Sequence, residues 1–135
     1  MPFMHHSKVR MYDTDTAQVL FFGNQYRFMN DAFEDMLADG GLKIDSVFKD
    51  LPYRFVVVHS EANYLMPLHI GDEIEVHTSI SHIGKTSFTV NYTLFSNNKC
   101  VGDGKTVHVV IDLKYQNKQP IPSQLQRLLQ RYMGQ

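Results

Sequence analysis

The chain has 135 residues, 43% of them hydrophobic and 20% charged, and its 13 basic and 14 acidic residues leave a formal net charge of −1. That length suits a single domain, 1–135, able to fold around its own core, and the charge balance argues against nucleic acid or an anionic membrane as the main partner. The one cysteine, Cys100, excludes an internal disulfide and a multi-cysteine zinc site, and no run reaches the roughly 18 apolar residues of a membrane-spanning helix.

Residues 1–13 are interrupted by His5, His6, Lys8 and Arg10 and lack the apolar stretch of a secretion signal, so the expected address is cytoplasmic. Val9 to Tyr12 reads as a short strand, with His5-His6 as a tandem pair in a mobile segment before it. Asp13-Thr14-Asp15-Thr16 is a cluster of turn and capping residues. The apolar run Val19 to Phe22 leads to Gly23-Asn24, which reads as a helix start with Asn24 as its cap. From Gln25 to Ala38 the residues Phe28, Met29, Ala32, Phe33, Met36 and Leu37 recur at spacings of three and four, the mark of a buried helix. Gly40-Gly41 stops it. Lys43 to Lys49 reads as short turns with Ile44, Val47 and Phe48 inward.

The remainder reads mostly as strand. One runs from Phe55 towards Tyr64. Ile74, Val76, Thr78 and Ile80 alternate with polar residues, as do Phe88, Val90, Tyr92 and Leu94, the period of half-buried strands. Asn97-Asn98 is hairpin chemistry. Cys100 to Leu113 forms a last long strand, with Val107, Val109, Ile111 and Leu113 on one face and Gly102-Asp103-Gly104-Lys105 as a bend or bulge within it. Ser123 caps a short final helix with Leu125, Leu128 and Leu129 inward. The later strands are expected to pair as an antiparallel meander, with one long helix packed on the sheet, giving an α+β domain.

The seven histidines show no metal-ligand spacing, and no nucleophile elbow or phosphate-binding glycine loop is present. Cys100 reads as inert strand packing. One arrangement has chemistry behind it. Asp15 stands in a short polar loop that leads to the amino end of the long helix. Unpaired N–H groups there can stabilise a carbonyl becoming an oxyanion, and a nearby carboxylate can attack it or activate water. By pattern alone such an Asp is first a turn residue.

Val9-Arg10-Met11-Tyr12-Asp13-Thr14-Asp15, then Val19 to Asn24, the helix, Tyr64-Leu65-Met66-Pro67, Gly71-Asp72, Gly84-Lys85-Thr86 and His108 to Asp112 succeed one another in an order and spacing that resembles the 4-hydroxybenzoyl-CoA thioesterase-like family. The resemblance covers residues 8–130. It implies a hotdog fold, a curved antiparallel sheet wrapped around one long helix. It also implies acyl-CoA thioester hydrolysis without a cofactor, coenzyme A being part of the substrate. The family's catalytic carboxylate falls on Asp15 and its oxyanion amides on Phe22 and Gly23, while Asp13 reads as a residue bonding the loop. Gln18, Phe21, Asn24, Lys85 and Thr86 fall at substrate positions, with Lys85 the first candidate for the CoA phosphates and Arg54 and Lys105 weaker ones. Many members carry Gly where this chain has Gln18, and a large subgroup carries His where it has Phe22. An aromatic at Phe22 resembles the subgroups acting on 4-hydroxybenzoyl-CoA and 1,4-dihydroxy-2-naphthoyl-CoA. Glu61, on a strand, reads as solvent-facing or interfacial. The resemblance implies a homodimer assembling to a homotetramer, with subunits sharing the site. A non-catalytic acyl-CoA or acyl-carrier-protein binding module on the same fold is the rival reading.

Overall fold

The computed structural model describes residues 2–134 except the side chains of 46–48, so the expected inward packing of Val47 and Phe48 lies outside the described residues. The elements are β1 (Phe3–Lys8), a 3-10 turn (Met11–Asp13), α1 (Asn24–Asp39), α2 (Ile44–Asp50), β2 (Tyr53–Tyr64), β3 (Glu73–Ile83), β4 (Ser87–Ser96), β5 (Lys99–Asp112) and α3 (Ser123–Arg131). The five strands form one curved antiparallel sheet in the order β1-β3-β4-β5-β2, and α1 lies on it, the α+β hotdog arrangement that the resemblance implies.

The predicted apolar stripe of α1 is buried in full, from Phe28 to Leu37, and Gln25 is buried with it. Phe33 shows how the helix spans the sheet: its ring meets Phe55 of β2, Phe88 of β4 and His108 of β5. A helix this close leaves no space for some side chains beneath it. A Cβ on Gly104 would lie 2.6 Å from Met29 Cε. It would also lie 2.6 Å from the backbone oxygen of Glu61 on β2, which cannot give way, and residues 102–105 stay in register with both neighbours. The expected bulge falls one residue earlier on β5, at Val101, which is skipped between Leu94↔Gly102 and Phe95↔Cys100.

The face of β5 that meets α1 carries Thr106, His108 and Val110, the set opposite to Val107 and Ile111. His108 is stacked between Phe33 and Phe88, with ring centroids 4.5 Å and 5.0 Å away. Its Nε2 bonds Thr106 Oγ1 at 2.8 Å, and that hydroxyl lies 3.0 Å from Tyr92 OH. Burial lowers the His108 pKa to about 4, so the core holds it neutral.

Three expectations need correction. The first strand is Phe3–Lys8, not Val9–Tyr12, because pairing with β3 from Phe3↔Thr78 to Lys8↔Glu73 fixes it. His5 and His6 thus belong to a strand, and His5 Nδ1 lies 2.7 Å from Asp35 Oδ2 on α1. Only β3, β4 and β5 form the meander. β1 takes the free edge of β3, so β2 pairs at the other edge, with β5, from Tyr53↔Asp112 to Tyr64↔Gly102. Finally, Asn24 and Ser123 are the first residues of their helices, preceded by Gly23 and Pro122, and among the described residues no side chain caps either amino end.

Candidate active site

The loop after the 3-10 turn closes on itself. Thr14 pairs with Leu20 in an antiparallel bridge, and the Asp15 N–H donates to Val19 O at 3.2 Å. The Gln18 N–H donates to Asp15 O, and Asp15 Oδ1 accepts the Ala17 N–H at 2.9 Å. So tight a turn puts Gln18 at φ 64°, a left-handed position that favours glycine, and many members of the family have Gly here. The Asp15 carboxylate is exposed, and among the described residues only its Oδ1 is held.

The chain leaving this loop becomes α1. The Phe21 N–H donates to Asp13 O at 2.9 Å, and the Asn24, Gln25 and Tyr26 amides donate to the carbonyls of Phe21, Phe22 and Gly23. Between them, the Phe22 and Gly23 amides have no acceptor among the described residues. They stand at the amino end of a 16-residue helix, where the aligned peptide dipoles favour negative charge. Among the described residues, then, the loop carries a carboxylate with one oxygen unbonded, and the segment leading from it into α1 carries two unbonded amides. A carbonyl whose oxygen is gaining charge suits that arrangement.

Beside the amides is a cavity of about 220 Å³ lined by Leu20, Phe22, Gln25, Tyr64, Leu65 and Met66. Its mouth is apolar and exposed: Phe22 is 63% exposed and Leu65 56%. The Phe22 ring lies 4.6 Å from that of Phe21 and meets Tyr64 edge-on at 6.4 Å. Desolvation raises the Tyr64 pKa, with Tyr26 adding to it, so its hydroxyl stays protonated. Gln25 anchors the inner wall. Its Nε2 donates to Asn63 O and Asp103 O, tying the helix start to β2 and β5.

Asp15 and Gln18 lie in this loop, and Phe21, Phe22, Gly23 and Asn24 lie on the segment that leads from it into α1. Asn24 points its Nδ2 to Asp13 O at 2.8 Å, so its side chain fastens the loop. Lys85 and Thr86 do not join them within one chain. Lys8 pairs with Glu73 at one end of β3, whereas residues 85 and 86 come after its other end at Ile83. A strand of 11 residues separates the two, roughly 30 Å. Arg54 is held by Leu51 O and Tyr53 O, and Lys105 Nζ lies 3.7 Å from Glu61 Oε1. Glu61 is exposed and bonds His59, which lowers its pKa. Gln25, Tyr64, Leu65 and Met66 escaped the sequence reading as site residues. A polar Gln in an apolar stripe was the signal for the first, and the Tyr-Leu-Met-Pro segment for the others.

The chain matches the model of the thioesterase-like superfamily over residues 9–129. It is similar to a 1,4-dihydroxy-2-naphthoyl-CoA hydrolase of Synechococcus elongatus, 31% identical over 123 residues, or 90% of each chain. The protein of that name in Nostoc punctiforme is 28% identical over 130 residues, covering 96% of this chain and 88% of that one. A solved 1,4-dihydroxy-2-naphthoyl-CoA thioesterase from Synechocystis shares the fold with a TM-score of 0.90 at 24% identity, covering 96% of both chains. A gentisyl-coenzyme A thioesterase shares it at 0.84 and 23% identity, over 94% of this chain and 98% of that one.

Proposed function

The chain belongs to the thioesterase-like superfamily, and from that premise we propose that it hydrolyses an aromatic acyl-CoA, of the 1,4-dihydroxy-2-naphthoyl or 4-hydroxybenzoyl type, to the free acid and coenzyme A. The observation that carries this reading is the pair of amides at Phe22 and Gly23, without an acceptor among the described residues, on the chain that leaves the Asp15 loop and next to a cavity lined in part by Phe22 and Tyr64. The thioester oxygen sits against those amides. Asp15 adds to the carbonyl carbon, or takes a proton from a water that does so. The C–S bond then breaks and coenzyme A departs as thiolate. In the first route a mixed anhydride remains and water hydrolyses it. In single-turnover hydrolysis in H₂¹⁸O, label on Asp15 marks the nucleophile. A thiolate leaves readily, so the reaction calls for no cofactor. The naphthoyl-CoA relatives and the flat groups at Phe22 and Tyr64 both support the aromatic substrate.

One chain supplies part of the site. β2 forms one edge of the sheet, and along it Val56, Val57 and Val58 are 41%, 54% and 58% exposed. An open strand edge bearing three exposed valines supports pairing of two sheets edge to edge in a homodimer, with two dimers in a tetramer. Lys85 and Thr86 then reach the CoA arm from a second copy. The working compartment is the cytoplasm. No helix of the structure is long and apolar enough to cross a membrane.

The test is thiol release over a panel of short, long-chain and aromatic acyl-CoAs. Aromatic esters should turn over fastest, and Asp15→Asn should abolish most activity while leaving the fold intact. Binding without turnover across the panel would replace this reading with the non-catalytic acyl-CoA or acyl-carrier-protein binding module, and a fully active monomer would contradict the shared site.

A further inference from the structure

Asp13 is 1% exposed and yet it is a carboxylate, two residues before Asp15. Such a charge has to be answered by neighbours. Arg27, one turn into α1, answers it: Nη2 lies 2.7 Å and 2.8 Å from the two carboxylate oxygens, and Nε lies 3.1 Å from Oδ1. The Arg10 N–H donates to Oδ2 at 2.8 Å. The main-chain oxygen of Asp13 is taken twice as well, by the Phe21 N–H and by Asn24 Nδ2. Arg27 is fixed in turn. Its Nη1 bonds Asp31 at 3.1 Å, and its guanidinium lies 4.4 Å from the centre of the buried Phe28 ring.

We propose that the Arg27–Asp13 pair positions the reacting groups: it holds the base of the Asp15 loop against α1 and so sets the Asp15 carboxylate relative to the Phe22 and Gly23 amides. This rests on the hydrolytic reading above. Asp13 and Phe21 form the two sides of the loop base, joined by one hydrogen bond. Asp15 lies two residues beyond one side, and the Phe22 amide one residue beyond the other. Arg27 ties both to the second turn of a helix whose opposite face is packed on the sheet. The other side of the loop is tied by the Leu20 N–H to Leu68 O at 2.7 Å and by the Val19–His69 bridge, so Arg27 is the side-chain tie on the Asp13 side. A buried ion pair is weak evidence for stability, because apolar residues of similar size often replace one without loss. Its two-point geometry is what such residues cannot copy. Arg27 and Asp13 touch no reacting atom, so they are positioning residues.

The experiment compares wild type, Arg27→Lys and the apolar double variant Asp13→Leu/Arg27→Met, by steady-state hydrolysis and by amide hydrogen exchange at Phe21. In the folded double variant kcat should fall about 10- to 100-fold with KM within about threefold, because misplacement of about 1 Å acts on the reacting geometry. Arg27→Lys, which keeps the charge and loses the fork, should fall less. The Phe21 amide should exchange at least about tenfold faster in both. Wild-type kcat in either folded variant, or an unchanged Phe21 amide, overturns the proposal. If the double variant does not fold, Arg27→Lys decides by the same two readings. Failure of the hydrolytic reading shows differently: the wild type then releases no thiol, or Asp15→Asn keeps its activity, and the exchange at Phe21 still decides whether the pair holds the loop.

Discussion

The two ends of α1 are finished in opposite ways. At the carboxyl end the Leu42 N–H returns to Leu37 O at 2.8 Å, the Gly40 and Gly41 amides are bonded to Met36 and Ala38, and Tyr132 OH donates to Asp39. Leu128 of α3 covers Gly40 so closely that a Cβ there would sit 2.6 Å from Leu128 Cγ. At the amino end no side chain caps the helix, two amides lack a protein acceptor among the described residues, and Phe21 and Phe22 face outwards. The helix is built by one apolar stripe throughout, so its sequence periodicity does not distinguish the ends. The difference lies in the neighbour that each end meets: a packed helix at one, a closed acidic loop at the other. Stability is concentrated where backbone groups are satisfied, and chemistry where they are left free.

Perturbing each end should therefore give a different kind of loss. The largest effect is expected at the open end. Phe22→Pro removes the amide hydrogen, whereas Phe22→Ala removes only the ring. Measured by thiol release, kcat of the proline variant should lie about 10²- to 10³-fold below that of the alanine variant. Equal rates would show that this amide binds nothing in the reaction.

Midway along α1, acid should act through His108. Its pKa is depressed from 6.5 to about 4 in the fold, so the unfolded chain binds a proton that the folded chain refuses. Its contribution is complete above about pH 6.5 and is lost as pH falls towards 4, roughly 3 kcal/mol in all. Urea unfolding at intervals between pH 7 and 4 reads this slope, and His108→Leu should flatten it whatever that variant's stability at neutral pH. At the closed end Gly40→Ala should lower stability by about 2 kcal/mol through the contact with Leu128, with kcat per folded molecule unchanged. A loss of kcat there would mean that the two ends are not independent. The smallest effect belongs to Gln18→Gly, which relieves the φ of 64° and should leave stability within about 1 kcal/mol of wild type.

Periodicity revealed what repeats. The stripe of α1 and the alternation in β3 and β4 were legible because burial selects residues at a fixed spacing. β1 was not, since Phe-Met-His-His-Ser-Lys carries two apolar residues and is held by its register with β3. The loop at Asp15 became readable as a site only through the family resemblance, because an Asp in a turn has the same local signature with or without chemistry. Arg27 lies on the face of α1 away from the sheet, and nothing in its spacing singles it out. Its partner is 14 positions away, at Asp13. Lys85 illustrates the converse: a motif in the right order lies a strand length from the loop, because order along a chain does not fix distance.

The pairing of β2 has a consequence during synthesis. Tyr53 meets Asp112 and Tyr64 meets Gly102, so this strand emerges from the ribosome well before any residue it will bond in its own sheet. At typical elongation rates of about 5–20 residues per second the wait lasts seconds, whereas a hairpin closes in about 1–10 μs once both strands exist. For that interval Val56, Val57 and Val58 belong to a nascent chain with no sheet to join. The polar residues that follow them, His59 and Glu61, bond each other in the finished fold.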